Sequence, residues 1–165
     1  MKKRVLIILM ISIVSGFATG YSLHHWIHSA RFPEEKIMLM PEHPFYLMEE
    51  VNEEVLYNTL KHYDFPSPAI ITAQAVLESG NFKSKLCKDN NNLFGLYNSR
   101  TMSYFKFDSW ISCVFAYKQF ILSRYDPEED YYRFLDRIGY AEDSLYESKV
   151  KELELDIINE YGSPD

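Results

Sequence analysis

The chain has 165 residues, of which 47% are hydrophobic and 16% aromatic, so it can bury one sizeable core and intrinsic disorder is excluded. From residue 21 onward, 14 Lys and Arg stand against 24 Asp and Glu, a net charge of −10. This acidic balance argues against nucleic acid as a partner, because phosphate binding needs a basic face.

The first residues predict a targeting or anchoring segment at 1–23. Lys2, Lys3 and Arg4 precede 19 uncharged residues, a pattern typical of an export signal whose start stays in the cytoplasm. A run of that length can just span a bilayer, so a retained membrane anchor fits. Ala18-Thr19-Gly20 resembles a cleavage site, so a removed signal peptide is equally open. In either case we expect the domain outside the cytoplasm, in the periplasm or cell envelope, tethered to the inner membrane if the segment is retained.

Residues 24–45 contain three prolines and no clear hydrophobic period, so we expect a linker ahead of a domain at 46–162. Helical periodicity over 46–63 predicts the first helix of that domain, and Asp64-Phe65-Pro66 ends it.

A second predicted helix, 68–79, carries a single ionisable side chain, Glu78, in its last turn. Ser67 is expected to cap its start, Pro68 suits the first helical position, and Gly80 suits the left-handed residue after its end. Burial and the negative end of the helix dipole both raise the pKa of a carboxyl placed there. A carboxylic acid that keeps its proton near neutral pH can act as a general acid. A simply solvated glutamate at a helix end is the alternative interpretation.

Residues 81–107 are rich in Asn, Asp, Gly and Ser and predict mostly loop. Within them, 93–97 and 104–107 are expected to pair as a short hairpin around the turn 98–103. Three further helices are predicted: one from Asp108 or Ser109 to about Arg124, one from Asp126-Pro127 to about Ile138, and one opened by a capping box at Ser144 and Glu147 and ending near Tyr161. The sequence therefore predicts a mainly α fold with one small β-hairpin.

The two cysteines, Cys87 and Cys113, leave two states open. One disulfide between them and two buried free thiols are equally compatible with an exported protein. The sequence shows no cysteine–histidine pattern and no metal-ligand spacing, since the five histidines crowd the N-terminal third. We therefore expect neither a metal nor a cofactor.

Three ordered motifs resemble the bacterial glucosaminidase domain of flagellar and autolysin-type peptidoglycan hydrolases. They are Ala73-Gln74-Ala75-Val76-Leu77-Glu78-Ser79-Gly80, Asn91-Asn92-Leu93-Phe94-Gly95-Leu96 and Tyr140-Ala141-Glu142-Asp143 with Tyr146. The resemblance covers about residues 47–155, and the Asn-Asn-Asn-Leu-Phe-Gly-Leu-Tyr version is most similar to the Bacteroidetes branch. It implies a lysozyme-like helical domain with the hairpin beside an extended cleft. It also implies hydrolysis of the β-1,4 bond after N-acetylglucosamine in peptidoglycan.

The resemblance also implies roles for individual residues. Glu78 is the general acid, Tyr140 lines the cleft near the reacting sugar, and Asn92 to Gly95 form the cleft floor. The candidate substrate-binding residues are Gln74, Asn91, Asn92, Phe94, Gly95, Tyr97 and Tyr146. Turn formation is the alternative role of the two asparagines, and core packing is the alternative for Phe94 and Tyr140.

The sequence offers no obvious second catalytic carboxylate. Many glycosidases use two, yet residues 90–107, which include the hairpin, contain no Asp or Glu. Asp89 and Asp108 are the nearest acids. Asp89 is explained equally well as a turn former, and Asp108 is explained better as a helix cap. The 2-acetamido group of the substrate can instead serve as the internal nucleophile, an exception that the two-carboxylate scheme allows.

Two other functions fit the same residues. A lytic transglycosylase shares the lysozyme-like plan, needs only one catalytic Glu and leaves an anhydro-muramic end. An inactive glycan-binding module tethered to the membrane is suggested by the missing second acid. The hydrolase interpretation is favoured, because an inactive site has no need of a carboxyl at the end of an apolar helix.

Overall fold

A computed structural model describes residues 50–162, which fold into a mainly helical domain with one two-stranded antiparallel sheet. This confirms the predicted fold class. The predicted segment 1–23, the linker 24–45 and the first residues of the predicted domain lie outside the described residues. In chain order the elements are α1 (Glu53–His62), α2 (Pro68–Ser79), α3 (Lys85–Asn90), β1 (Tyr97–Asn98), β2 (Ser103–Tyr104), α4 (Trp110–Phe120), a 3-10 turn (Leu122–Arg124), α5 (Tyr131–Arg137) and α6 (Tyr146–Tyr161).

Helix α2 lies in the core and packs mainly against α6, with α1 beside it. Every residue from 70 to 76 is buried, so the helix is enclosed on all sides. That explains why its sequence is apolar or small all round rather than amphipathic. Complete burial of a side chain such as Ile71, which is 0% exposed, contributes roughly 1.5–3 kcal/mol. The core therefore fixes α2 firmly up to its last turn.

The two ends of α2 differ in how well the sequence predicts them. Pro68 occupies the first turn and Gly80 is left-handed at φ 59°, both as predicted. The predicted side-chain cap at Ser67 is wrong, because Ser67 is itself left-handed at φ 48° and its hydroxyl makes no capping hydrogen bond. A side-chain N-cap needs extended backbone, which aims the hydroxyl at the free N–H groups of the first turn.

Helix α1 is shorter than its hydrophobic period predicts. It begins at Glu53, because Asn52 Oδ1 accepts the Val55 N–H at 2.9 Å and caps the first turn. Helix α3 lies where the sequence predicts loop. Its six residues are too few to show a hydrophobic period, and Ser84 caps it by accepting the Cys87 N–H at 3.1 Å.

The hairpin is shorter than predicted, with a turn at residues 99–102. Tyr97 pairs with Tyr104 and Asn98 with Ser103. One further backbone bond, from Phe105 N–H to Leu96 C=O at 2.9 Å, continues the pairing at the open end. The predicted strand residues before Leu96 form a buried turn instead.

The start of α5 is displaced from its predicted position. Asp126 Oδ1 accepts the Glu128 N–H at 3.1 Å and so closes a turn rather than a helix. The cap of α5 is Asp130, whose Oδ1 accepts the Arg133 N–H at 3.0 Å. Helix α4 follows its cap Ser109 as predicted, and the 3-10 turn completes its predicted span.

Helix α6 begins without the predicted capping box. Leu145 precedes its first residue, and no side chain caps it there. Asp143 instead fixes the turn before the helix, because its Oδ1 accepts the Leu145 N–H at 2.9 Å and its C=O accepts the Tyr146 N–H at 2.9 Å. The helix ends at Tyr161, as predicted. None of the helices between residues 50 and 162 is long and apolar enough to cross a membrane.

Candidate active site

Glu78 lies in the last turn of α2, at the edge of the core. It is partly exposed, whereas Gln74 and Ala75, one turn earlier, are fully buried. Burial raises the pKa of Glu78 to about 8, and a hydrogen bond with Tyr146 opposes part of that rise. No charged group within residues 50–162 adds to the shift. The carboxyl at this position therefore keeps its proton near neutral pH.

Tyrosines from four parts of the fold interact electrostatically with this carboxyl: Tyr104 on β2, Tyr117 on α4, Tyr140 between α5 and α6, and Tyr146 at the start of α6. Burial raises the pKa of each tyrosine, and the negative charge of Glu78 raises it further. The acid is thus surrounded by neutral hydroxyl groups and aromatic rings rather than by ions.

A chain of hydrogen bonds runs behind the acid. Tyr117 donates its hydroxyl proton to Gln74 Oε1 at 2.9 Å, and Gln74 Nε2 donates to the Tyr146 hydroxyl oxygen at 3.2 Å. The Tyr131 hydroxyl lies 3.0 Å from that of Tyr117. Gln74 is 0% exposed. Its amide therefore supports the site from inside the core, and the predicted contact between Gln74 and substrate stays a prediction.

Tyr140 occupies the sharp turn that joins α5 to α6. Gly139 supplies the left-handed residue at φ 61°, and the Tyr140 N–H reaches Leu135 C=O at 2.9 Å. The ring lies 6.4 Å from that of Tyr117 and 5.6 Å from that of Tyr146, centroid to centroid. Tyr140 is only 1% exposed and interacts electrostatically with Glu78, and it contributes with Ala141 and Tyr146 to the lining of a pocket beside the start of α6. Its predicted position near the reacting sugar stays a prediction.

The Asn92–Gly95 turn is held by the side chain of Asn92. Its Oδ1 accepts the Leu96 N–H at 2.8 Å, while its Nδ2 donates to Leu96 C=O at 2.8 Å and to Phe105 C=O at 3.0 Å. Gly95 is left-handed at φ 63°, which lets the chain reverse within this bracket. The asparagine thus fixes the turn and the base of the hairpin together.

The other predicted residues of this segment have structural contacts. Phe94 is 0% exposed and its ring lies 4.2 Å from that of Tyr117. Asn91 is left-handed at φ 51°, and its Nδ2 donates to Phe107 C=O at 2.9 Å. Asn92 therefore holds the turn and Phe94 packs in the core, while a contact of either residue with substrate stays a prediction.

The fold and the geometry agree with one comparison. Residues 54–161 match the model of the glucosaminidase family, described as mannosyl-glycoprotein endo-beta-N-acetylglucosaminidase. The chain belongs to the glucosaminidase family. No curated protein and no solved structure gives a significant match. Membership places the domain among glycoside hydrolases, with a glycan as substrate, while the Bacteroidetes branch stays a prediction.

Neither aspartate considered as a second catalytic carboxylate of this glucosaminidase domain contributes to the environment of Glu78. Asp89 is exposed on α3, and Asp108 is exposed just ahead of Ser109, which caps α4. Within the described residues, the pKa of the acid is therefore set by burial and by its hydrogen bond with Tyr146.

Cys87 and Cys113 are both buried and both free. Of the two predicted states, the structure therefore has the two free thiols rather than the disulfide. Burial raises the pKa of the Cys113 thiol to about 12 and also raises the pKa of Cys87. Cys113 Sγ accepts the Leu93 N–H at 3.4 Å, so its contact is with the Asn92–Gly95 turn. Neither thiol is an activated nucleophile.

Three tyrosines of this glucosaminidase domain were not predicted from the sequence: Tyr104 and Tyr117, which interact with Glu78, and Tyr131, which contacts Tyr117. Tyr104 is 44% exposed and its ring lies 5.2 Å from that of Tyr97, in an edge-on contact. The hairpin register could have revealed Tyr104, because it pairs the two tyrosines across the strands. Tyr117 and Tyr131 lie on separate helices, so no local pattern indicates their contact.

Proposed function

We propose that this glucosaminidase domain is an endo-β-N-acetylglucosaminidase that hydrolyses the glycan strand of peptidoglycan, with Glu78 as the general acid. The carrying observation is one partly exposed carboxyl whose pKa is raised to about 8 among tyrosines, in a chain of this family. With that pKa, about 90% of the carboxyl groups hold a proton at pH 7. The acid is thus in the correct protonation state to donate to a leaving oxygen.

The proposed reaction uses Glu78 twice. As the glycosidic C–O bond breaks, Glu78 gives its proton to the leaving oxygen, and the carbonyl oxygen of the 2-acetamido group bonds to the anomeric carbon. Water then attacks that carbon and displaces the acetamido oxygen, while the Glu78 carboxylate takes a proton from the water. Both steps balance without a second carboxylate, which fits the all-tyrosine surroundings of Glu78.

A lytic transglycosylase is the second candidate, and the same observation favours it. That reaction also needs only one acid, because a hydroxyl of the substrate itself attacks the anomeric carbon and no water is consumed. The family match favours hydrolysis. An inactive glycan-binding module is the third candidate, although it gives no role to a proton-holding carboxyl.

One experiment separates the three functions. Purified peptidoglycan is digested with the full-length protein in ¹⁸O-labelled water, and the released fragments are analysed by mass spectrometry. We expect fragments ending in a reducing N-acetylglucosamine that carries one ¹⁸O atom. Anhydro-muramic ends without the label would establish the transglycosylase. If the wild-type protein releases no more fragments than Glu78→Gln does, the inactive glycan-binding module is the remaining function.

The place of action is part of the same proposal. A peptidoglycan substrate requires that the domain work outside the cytoplasm, as the predicted segment 1–23 implies. Fractionation of cells that express the full-length chain, with an antibody against the domain, tests this. Recovery of the protein in the cytosol would contradict it.

A further inference from the structure

The side chain of Gln74 is the starting point, because it is fully buried and both ends of its amide are occupied. It precedes Glu78 by one helical turn, on the same face of α2. Its Oε1 accepts from Tyr117 at 2.9 Å and its Nε2 donates to Tyr146 at 3.2 Å. Tyr146, in turn, shares a hydrogen bond with Glu78. Gln74 therefore reaches the acid through one intervening hydroxyl.

The amide gives this chain of bonds a direction. An amide oxygen only accepts and an amide nitrogen only donates, whereas a tyrosine hydroxyl can do either. Because Gln74 Nε2 occupies a lone pair of the Tyr146 oxygen, the Tyr146 hydrogen is left to point at Glu78. On the other side, Tyr117 donates its only hydroxyl hydrogen to Gln74. In the 3.0 Å contact between the two hydroxyl groups, Tyr131 must therefore be the donor and Tyr117 the acceptor. Bonds aligned in one direction strengthen each other.

We infer that Gln74 is a positioning residue, which fixes the Tyr146 hydroxyl as a hydrogen-bond donor to the Glu78 carboxylate. If the amide were turned round, its oxygen would take the Tyr146 hydrogen and Glu78 would lose its donor. The bonding pattern does not depend on the proposed function, whereas its consequence for turnover rests on Glu78 being the acid.

Among the described residues, the Tyr146 hydroxyl is the group whose removal should change the pKa of Glu78 most directly. The titratable groups that face the acid are Tyr104, Tyr117, Tyr140 and Tyr146, and all are neutral near pH 7. A donor that bonds the charged form favours that form, and the Tyr146 bond is the only opposing influence on the carboxyl within the described residues. Loss of the donor should thus make Glu78 hold its proton to higher pH.

The test is a double-mutant cycle on the full-length chain. The Glu78 carboxyl is titrated by ¹³C NMR with labelled glutamate, and its signal is assigned with Glu78→Gln. Gln74→Met removes both amide bonds at similar volume, and Tyr146→Phe removes the hydroxyl. We expect both to raise the titration midpoint by roughly half a pH unit or more. In the Tyr146→Phe background, Gln74→Met should then have no further effect.

Thr72→Val is the matched control, because Thr72 is equally buried on α2 and its hydroxyl donates only to Pro68 C=O, at 2.9 Å. We expect it to lower the melting temperature without moving the Glu78 midpoint. If Gln74→Met behaves like this control, or shifts the midpoint equally with and without the Tyr146 hydroxyl, the positioning role is wrong.

Two further measurements keep the outcome decisive. If Gln74→Met does not fold, Tyr117→Phe replaces it, since it removes the donor to Gln74 Oε1 and leaves Gln74 and Tyr146 themselves unchanged. It also removes the acceptor of the Tyr131 hydroxyl, so Tyr131→Phe serves as its control. An unchanged midpoint in Tyr117→Phe would overturn the inference. Glycan release against pH is measured alongside, and we expect its alkaline limb to move with the midpoint. If wild-type protein releases no fragments, the proposed function fails, while the NMR titration still decides the role of Gln74.

Discussion

The ring of Phe94 lies 4.2 Å from the ring of Tyr117, and this contact connects the Asn92–Gly95 turn to the hydrogen bonds behind Glu78. Both rings are 0% exposed. Tyr117 can donate to Gln74 only while its ring is held in place. Phe94 therefore supports Glu78 indirectly, through its packing against Tyr117. The phenylalanine of the turn motif therefore acts through packing.

The first prediction is that Phe94→Ala destabilises the domain by about 3–5 kcal/mol, because it leaves a cavity against Tyr117. Denaturant unfolding measures this as a lower midpoint with an unchanged slope. Phe94→Leu should cost less and retain activity. A Phe94→Ala protein of normal stability that binds glycan poorly would instead make Phe94 a substrate contact.

The second prediction concerns the stability of Glu78→Gln. The folded-state pKa of Glu78 is raised from 4.5 to about 8, so the folded state binds a proton that the unfolded state releases between these values. The associated stability is present below pH 4.5 and is lost as the pH rises through 8. Glutamine does not ionise, so the variant does not lose this stability. It should therefore become more stable than wild type as the pH rises across that range, by on the order of 4 kcal/mol at its upper end.

Melting temperatures of both proteins from pH 4 to pH 9 check this expectation. The difference between them should grow with pH and level off above the folded-state pKa. A constant difference would mean that the pKa of Glu78 is not raised by folding.

The third prediction is that Asp89→Asn and Asp108→Asn each keep activity within a few-fold of wild type. Both residues are exposed, and neither affects the pKa of Glu78. Initial rates on purified peptidoglycan measure the effect, with Glu78→Gln as the inactive reference. A loss of about 10²-fold or more at either aspartate would identify a second catalytic carboxylate and contradict the acetamido mechanism.

The fourth prediction assigns a sugar-stacking role to Tyr104, which is 44% exposed and lies within electrostatic reach of Glu78. Tyr104→Ala should raise KM for a soluble glycan by roughly 2- to 10-fold, the worth of one aromatic contact, with little change in melting temperature. Tyr104→Phe keeps the ring and should bind normally. Leu155→Ala, at a side chain 61% exposed on α6, is the surface control. Equal effects of the two alanine variants would remove Tyr104 from the substrate site.

The fifth prediction is that Tyr140→Phe lowers turnover by an order of magnitude or more. Its hydroxyl is buried beside Glu78, where a polar group acts strongly on charge that develops during the reaction. Stability should change by only ~1 kcal/mol, the usual worth of one hydrogen bond. Single-turnover kinetics and thermal unfolding separate the two effects. Near-normal turnover would leave Tyr140 with a packing role alone.

Local sequence signals predicted the position of Glu78 and its raised pKa well. Pro68 and Gly80 mark the ends of α2, and a lone acid on an apolar helix indicates a raised pKa, because burial acts on the residue wherever its partners come from. Capping was predicted less well. Ser67 is of the correct residue type, but its left-handed backbone leaves the hydroxyl without a capping hydrogen bond. At α6 the N-cap position is occupied by Leu145, one residue after the predicted cap Ser144.

The surroundings of Glu78 could not be read from local patterns. Gln74 and Tyr146 are 72 residues apart in sequence, and Gln74 and Tyr117 are 43 apart. Such pairs meet only when α2, α4 and α6 are packed together. For the same reason, the internal partners of Gln74 and Phe94, which the motifs suggested as substrate contacts, could not be predicted from local patterns.

The hydrogen bonds of the Asn92 side chain determine which part of the hairpin can vary in sequence. Strands of two residues cannot hold a hairpin by themselves, and here one amide anchors its base to the core. The tip closes separately, since Asn98 Oδ1 accepts the Arg100 N–H at 3.0 Å. Base and tip are thus independent modules. Residues 99–102 can therefore change in length or charge while the base of the hairpin keeps Tyr104 within electrostatic reach of Glu78.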